Sequence, residues 1–450
     1  MLHLRFNLSS SGLKFRFLPG FFVGTALALC VGASSVFGAE SLFTGMNALF
    51  NLTPETIQTT PGTSTVSGWT DALGGTLVFS TPTGKTSANS GSMTFGAKTV
   101  SAVDFPAGAV LVGSSSQNVQ TVFLVTHMDV SPGIGSVFGN YATDWGIRVQ
   151  SGTLSLTNVN QDDFWVGAQN AKGVLPYVDG AQTAKSLVGA NRLVSEVRAS
   201  DSRISGAFQP ALGHYAANLG STWAGRTFDG QMAEIVAFDW RMTTEEIKIV
   251  NSLLAAKFGM TDVSGLYAID SDYASGLSYL GKAGSLNVTS ADSQNLNVRL
   301  TSGSFANENG LAIGASGDEI IRWSSDFTEA ELKAWTREWA VSALDSTWVT
   351  GDDAMLTLTF DAENPDQAGT LLLFRNSKTA DYSVLSDALT VNGSLISFTL
   401  PAALFRNGGY VTLGTLPEPS AWLLLIPGIF GILAVRRKNR QDGETNGVRE

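Results

Sequence analysis

The sequence predicts a mainly β protein: a large N-terminal β-sandwich closed by one short helix, a second and smaller β-sandwich, and a single hydrophobic helix near the C-terminus. Three observations predict it. Gly, Ser, Thr and Asn are abundant while only 15% of residues are charged, which is the composition of short strands joined by many turns. Apolar residues recur at helical spacing in few places, most clearly between Thr243 and Gly259. An apolar run, Leu423 to Val435, follows a proline pair and precedes a basic cluster.

The first element is an export signal, residues 1–38. Arg5, Lys14 and Arg16 precede the apolar run Phe17 to Val31, and small residues follow from Gly32 to Ala39, the order of a secretory signal peptide. Cleavage after Gly38 places the small residues Val36 and Gly38 third and first before the bond. Pro19 and Gly20 argue against a durable membrane span. The only cysteine, Cys30, follows Leu29 where a lipidation site needs a small residue, so the exported chain carries no thiol and no disulfide. Its stability has to come from core burial.

The formal net charge is −11 and is more negative still between Glu40 and Leu416, because Arg5, Lys14, Arg16, Arg436, Arg437, Lys438, Arg440 and Arg449 all lie outside that span. An acidic balance repels nucleic acid and anionic membranes, and suits solubility, divalent cations or neutral partners such as glycans.

Residues 39–260 read as the first sandwich. Thr121 to His127 is a buried-strand run; Gly146 to Gln150 meets Thr153 to Thr157 across Ser151-Gly152; Leu175 to Val178 meets Ala181-Gln182 across Asp179-Gly180; Arg192 to Val197 is a strand without clean alternation. Gly230 to Asp239 is a further strand. A helix follows: Thr243 and Glu246 form a capping box, Ile247, Val250, Leu254 and Phe258 share a face, and Gly259 stops it.

That closing stretch, Gly230-Gln231-Met232-Ala233-Glu234-Ile235-Val236-Ala237-Phe238-Asp239 through Leu253-Leu254-Ala255-Ala256-Lys257-Phe258-Gly259, resembles the end of bacterial laminin-G-like, concanavalin A-like domains. Tyr177-Val178-Asp179-Gly180 matches their inner hairpin. The resemblance implies a jelly roll of the kind that binds glycans or proteins, sometimes with calcium, and that also hosts hydrolases.

Residues 261–416 read as the second β-rich module. Asp318 to Trp323 precedes a capping box at Thr328 and Glu331; Arg337 to Val341 and Leu356 to Phe360 read as strands, Leu371 to Phe374 as a buried run, Thr390 to Leu395 as a hairpin with an Asn-Gly turn, and Gly409 to Gly414 as the last strand. No internal repeat relates the two modules.

Residues 417–440 combine three parts in fixed order: Pro417-Glu418-Pro419, the apolar run, and Arg436, Arg437, Lys438 and Arg440. The prolines hold an extended, exposed segment. The apolar run is shorter than the ~20 residues that span a bilayer comfortably, and the basic cluster holds the cytoplasmic side. The segment resembles the PEP-CTERM sorting signal, which implies an exosortase-type processing enzyme as partner and placement at the surface or in the extracellular matrix of an exopolysaccharide-making bacterium. The polar tail 441–450 extends beyond the usual end of such signals. An ordinary C-terminal anchor is the alternative.

Catalytic chemistry finds little support. A retaining glycosidase needs two carboxylates on one strand face, whereas Glu234 has Met232 and Val236 two positions away. The sequence reads it as a rim residue paired with Arg226 or Arg241. Asp129, Asp144, Asp162-Asp163 and Asp352-Asp353 read as solvated turn carboxylates, with calcium ligation the alternative. His127 and His214 are too few for a zinc site, and no nucleophile motif or phosphate loop is present. Among Trp69, Trp145, Trp165 and Trp223, the loop-like Trp145 and Trp223 are the candidates for stacking on a sugar. The expectation is thus a non-enzymatic surface protein for adhesion or exopolysaccharide association, held at the membrane by its C-terminal helix before processing and binding no nucleic acid. A polysaccharide-active enzyme and a structural spacer are the alternatives.

Overall fold

The computed structural model describes residues 43, 45–129, 134–140, 146–150, 153–154, 174–179, 181, 185–186, 188–198, 206–213, 227–261, 263, 271–306, 309–316, 333–343, 353–362, 371–387 and 390–415. They lie in one compact unit and are mainly β, with one long α-helix, Thr244–Phe258, among them. No helix of the described residues is long and apolar enough to cross a membrane. The segments read from the sequence as an export signal, a sorting tail and a capping box at Thr328 lie outside the described residues, as do Trp145, Trp165, Trp223, Arg226, His214, Asp144, Asp162-Asp163, Asp352 and residues 155–157.

The first sheet is antiparallel and curls on itself. Its path runs through Val174–Val178, Asn191–Arg198, Thr121–Met128, Gly230–Phe238 and Phe50–Thr59, then turns through Val66–Asp71, Val78–Ser80, Leu111–Gly113, Pro210–Leu212, Ile134–Asn140, Gly146–Gln150, Thr153–Leu154 and Lys185–Ser186. A hairpin, Asn89–Phe95 with Lys98–Phe105, joins alongside Gly230–Phe238. Inside the curl sit Phe50, Leu52, Trp69, Phe79, Phe105, Leu124, Phe138, Ile235 and Ala237. Trp69 is fully buried, and its indole N–H donates to Thr53 O at 2.8 Å, so it packs the core and meets its polar requirement there.

Why the central strands read as continuous apolar runs is now plain. Val122 and Leu124 point into the curl, whereas Phe123 and Val125 join a second core on the opposite face. A strand covered on both faces needs no polar alternation. The turns keep local chemistry visible. Asp179 takes φ 51° in the two-residue connection between Val178 and Ala181, and its carboxylate accepts from Leu193 N (3.1 Å) and Arg192 (2.8 Å). Gln150 pairs with Thr153 across residues 151–152.

The helix begins and ends where its caps dictate. Thr243 Oγ1 accepts from Glu246 N, Glu246 Oε2 accepts from Thr243 N, and Gly259 closes the C-terminus at φ 69°. Its burial departs from the one-sided pattern: Ile249, Asn251, Ser252 and Leu253 are buried along with Ile247, Val250, Leu254 and Phe258. The second core explains this. Leu277, Tyr279, Ala283, Leu286 and Val288, from the strands beyond the helix, join Phe123, Val236 and Phe238 around it. A helix wrapped by two sheets is buried nearly all round.

Two further sheets follow. One includes Ser275–Ala283, Gly310–Ala315, Trp339–Ala343, Gly409–Thr415, Leu371–Arg375 and Ser383–Asp387; the other orders Ser290–Ser293, Leu296–Ser302, Met355–Asp361, Leu395–Pro401 and Thr390–Asn392. Leu311, Ile313, Trp339 and Val411 from the first meet Val298, Leu358, Phe360 and Phe398 from the second in a third core. The Trp339 indole donates to Ser293 O at 2.8 Å. The strand starts at Trp339 rather than Arg337, because Glu338 N donates to Ser316 Oγ and its carbonyl accepts from Ser316 N, bonds outside the ladder. In the Thr390 hairpin, Asn392 pairs with Leu395, so Gly393 and Ser394 form the loop, with Gly393 at φ 62°.

Candidate functional site

The most consequential charged group on the first sheet is Glu234. Met232 pairs with Thr126 and Glu234 with Val125, so Ala233 is an inserted residue and the strand bulges there. The bulge turns the Glu234 side chain to the face of Val125, toward the helix. It is buried (1% exposed), not at a rim, and its partner is Lys257 at 2.5 Å from Oε2. The expected pairing with an arginine is thereby corrected: Arg241 lies exposed, and the helix covering Glu234 supplies a lysine from its own last turn.

Two further polar groups, Asn51 and Lys98, adjoin this pair. Asn51 pairs in register with Val236 and so shares that face, diagonal to Glu234. Its amide eases the burial of the carboxylate, yet neither amide atom makes a hydrogen bond of good geometry, and Glu234 Oε1 also lacks a partner. We take the amide as adjacent but unbonded. Lys98, from the hairpin, donates to Lys257 O at 2.6 Å, favourably placed at the negative end of the helix. Asn251, on the helix, is fully buried with both amide atoms unbonded.

The electrostatics follow from this enclosure. Burial first, then repulsion from Glu55, pushes the Glu234 carboxyl up, while Lys257 and Asn51 pull it back. Burial and Lys257 lower Lys98, against the pull of Glu55 and Glu234. The arrangement is a buried carboxyl group whose two oxygens differ, one bonded to Lys257 and one open, beside a buried primary amide.

A second cluster lies beyond the helix. Glu338, 5% exposed, accepts from Arg375 Nε (2.6 Å) and Nη2 (2.5 Å), from Tyr273 OH (2.5 Å) and from Tyr382 OH. The Arg375 guanidinium lies 4.8 Å from the Tyr382 ring centroid and 5.4 Å from that of Tyr410. Burial and Glu338 together push both Tyr273 and Tyr382 upward. Every oxygen of this carboxylate is occupied, so the cluster reads as a clamp.

The third polar region is a row across adjacent strands: Asn89, Asp104, Gln231, His127 and Asn191. His127 Nδ1 lies 2.9 Å from Asn191 Oδ1, and Nε2 lies 3.4 Å from Asp129. Burial, with Asp129 and Asp229 nearby, raises Asp104. Among the described residues no group of three or more His, Cys, Asp or Glu is placed to hold a metal ion. Asp353 accepts from Ser304 N at 3.2 Å, a turn contact.

Sequence reasoning singled out Glu234 but missed Asn51 and Lys257. A signal existed for each: Asn51 is a polar residue between buried Phe50 and Leu52, and Lys257 closes a helix whose other residues are mostly buried. No protein-family profile matches the chain, and no curated protein matches it closely enough to count as a relative.

Proposed function

We propose that the chain is an exported bacterial surface or extracellular-matrix protein, sorted by an exosortase-type enzyme, whose ectodomain serves adhesion or exopolysaccharide association without catalysis. The observation that carries this reading is the order of Pro417-Glu418-Pro419, the apolar run to Val435 and the Arg436 to Arg440 cluster, behind a chain that begins with an export signal. The curled sheet with its enclosed core supports a concanavalin A-like jelly roll, and the two later sheets around one core support a second sandwich. The non-catalytic reading is supported by the engagement of the buried carboxylates: Glu234 Oε2 is tied to Lys257, and Glu338 accepts from Arg375 and two tyrosines. Deleting Pro417 to Arg440 tests the sorting half, which fails if the chain still reaches the surface. Pull-down on exopolysaccharide with the wild-type chain tests the binding half, which fails if nothing is retained, while release of reducing ends would turn the assignment to the enzyme alternative.

A further inference from the structure

We propose that Lys257 and Asn51 become joined by an intramolecular isopeptide bond, with Glu234 as the proton carrier. The inference is independent of the sorting and adhesion reading, since it rests on three side chains of the folded ectodomain.

The bond needs an amine, a carboxamide and an acid–base group, brought together away from water. All three occupy the helix-facing side of the first sheet. Asn51 and Glu234 project from neighbouring strands onto one face, because Asn51 is opposite Val236 and Glu234 is opposite Val125, and Val236 and Val125 share a core. Diagonal neighbours of this kind lie within reach of one another and of a long side chain from above. Lys257 descends from the helix and holds Glu234 Oε2 at 2.5 Å. Oε1 is buried and unbonded, as are both amide atoms of Asn51. Three buried polar atoms left without partners beside an amine are costly as a purely structural arrangement. They are what an amide-exchange centre requires before it reacts.

The chemistry balances without any co-reactant. Glu234 takes a proton from the Lys257 ammonium, a transfer that burial of the carboxylate favours. The neutral Nζ attacks Asn51 Cγ, and protonated Glu234 donates to Oδ1 as the tetrahedral carbon forms. The Cγ–Nδ2 bond then breaks, the proton passes to Nδ2, and ammonia leaves. An Nζ–Cγ amide replaces one ammonium and one primary amide. The product ties the first strand of the sheet to the helix that covers it, a covalent staple in a chain with a single cysteine, Cys30, and so no intramolecular disulfide.

Peptide mapping of the folded full-length chain tests this. The expected result is a branched peptide joining the Asn51 and Lys257 segments, one ammonia lighter than their sum, with no cleavage after Lys257 by trypsin. Recovery of both segments as unmodified linear peptides from folded wild-type chain would overturn the proposal, and needs no variant to interpret. Glu234→Gln and Lys257→Arg, each checked for fold by circular dichroism, are expected to give linear peptides. A branched peptide persisting in Glu234→Gln removes the role given to Glu234. Asn251→Ala is expected to keep the branched peptide; a branch mapping to Asn251 instead would overturn the assignment to Asn51.

Discussion

Replacing Glu246 with alanine separates its local role from a long-range one. The capping box accounts for Glu246 Oε2, which accepts from Thr243 N at 2.6 Å. Oε1 has a different job: it accepts from Ser285 N at 2.8 Å and Leu286 N at 3.0 Å, in the hairpin that follows Ser275–Ala283. The side chain is fully buried and bridges the helix to the strands beyond it. In Glu246→Ala, the exposed Ser285 can turn to water, whereas buried Leu286, paired with Ala283 across the hairpin, loses its bond to a charged acceptor. One buried bond to a charged acceptor, at about 1.5–3 kcal/mol, plus the lost cap at about 1 kcal/mol, gives a destabilisation of about 3 kcal/mol. Thr243→Ala removes only the cap and is expected to cost about 1 kcal/mol. Urea unfolding of both variants measures the difference. A Glu246→Ala change equal to that of Thr243→Ala, or within the ~0.5 kcal/mol of an ordinary surface substitution, would refute the bridging role.

Other consequences follow from the same structure. Glu338→Ala leaves the Arg375 guanidinium, 18% exposed, with only Lys378 O and the Tyr382 and Tyr410 rings, and is expected to cost about 3 kcal/mol, while Tyr382→Phe removes one of four donors and costs about 1 kcal/mol in the same unfolding assay. Asp104 has a raised folded pKa, so its stability contribution is full below its ordinary value of 3.8 and is lost as pH rises through the folded value. Asp104→Asn should therefore match wild type in acid and become the more stable of the two toward neutral pH, as followed by thermal melts; the opposite trend would contradict the upward push of burial and of Asp129 and Asp229. Gly230, at φ 151°, would set an added Cβ 2.1 Å from His127 O, so Gly230→Ala must shift backbone and is expected to lose several times the ~1 kcal/mol of a typical substitution.

Much of the local architecture was legible because its causes are local. Thr243, Glu246 and Gly259 bound the helix through contacts within one turn, and the two-residue connections at Asp179 and Gly393 need residues that accept positive φ. The buried runs at Thr121 and Leu371 were legible as strands, being short and, at Thr121, rich in β-branched and aromatic residues. What escaped was anything set by residues distant in the chain. The one-sided pattern of Ile247, Val250, Leu254 and Phe258 hid the burial of Ile249 and Leu253, because the second covering sheet begins beyond Ser275. Glu234 was read by simple alternation, and one inserted residue, Ala233, turned it toward Lys257. Glu338, Arg375, Tyr273 and Tyr382 carry no spacing that announces a cluster, because they come from four separate segments. The sugar-stacking candidates Trp145 and Trp223 rest on the sequence alone.

The sorting assignment is the centre of the functional account, and the mature C-terminus is its most direct test. Mass spectrometry of the protein recovered from the bacterial surface is predicted to find a chain that ends at or near Pro417-Glu418-Pro419 and lacks Arg436 to Arg440. Recovery of surface protein with peptides running through Arg436 to Glu450 would contradict it.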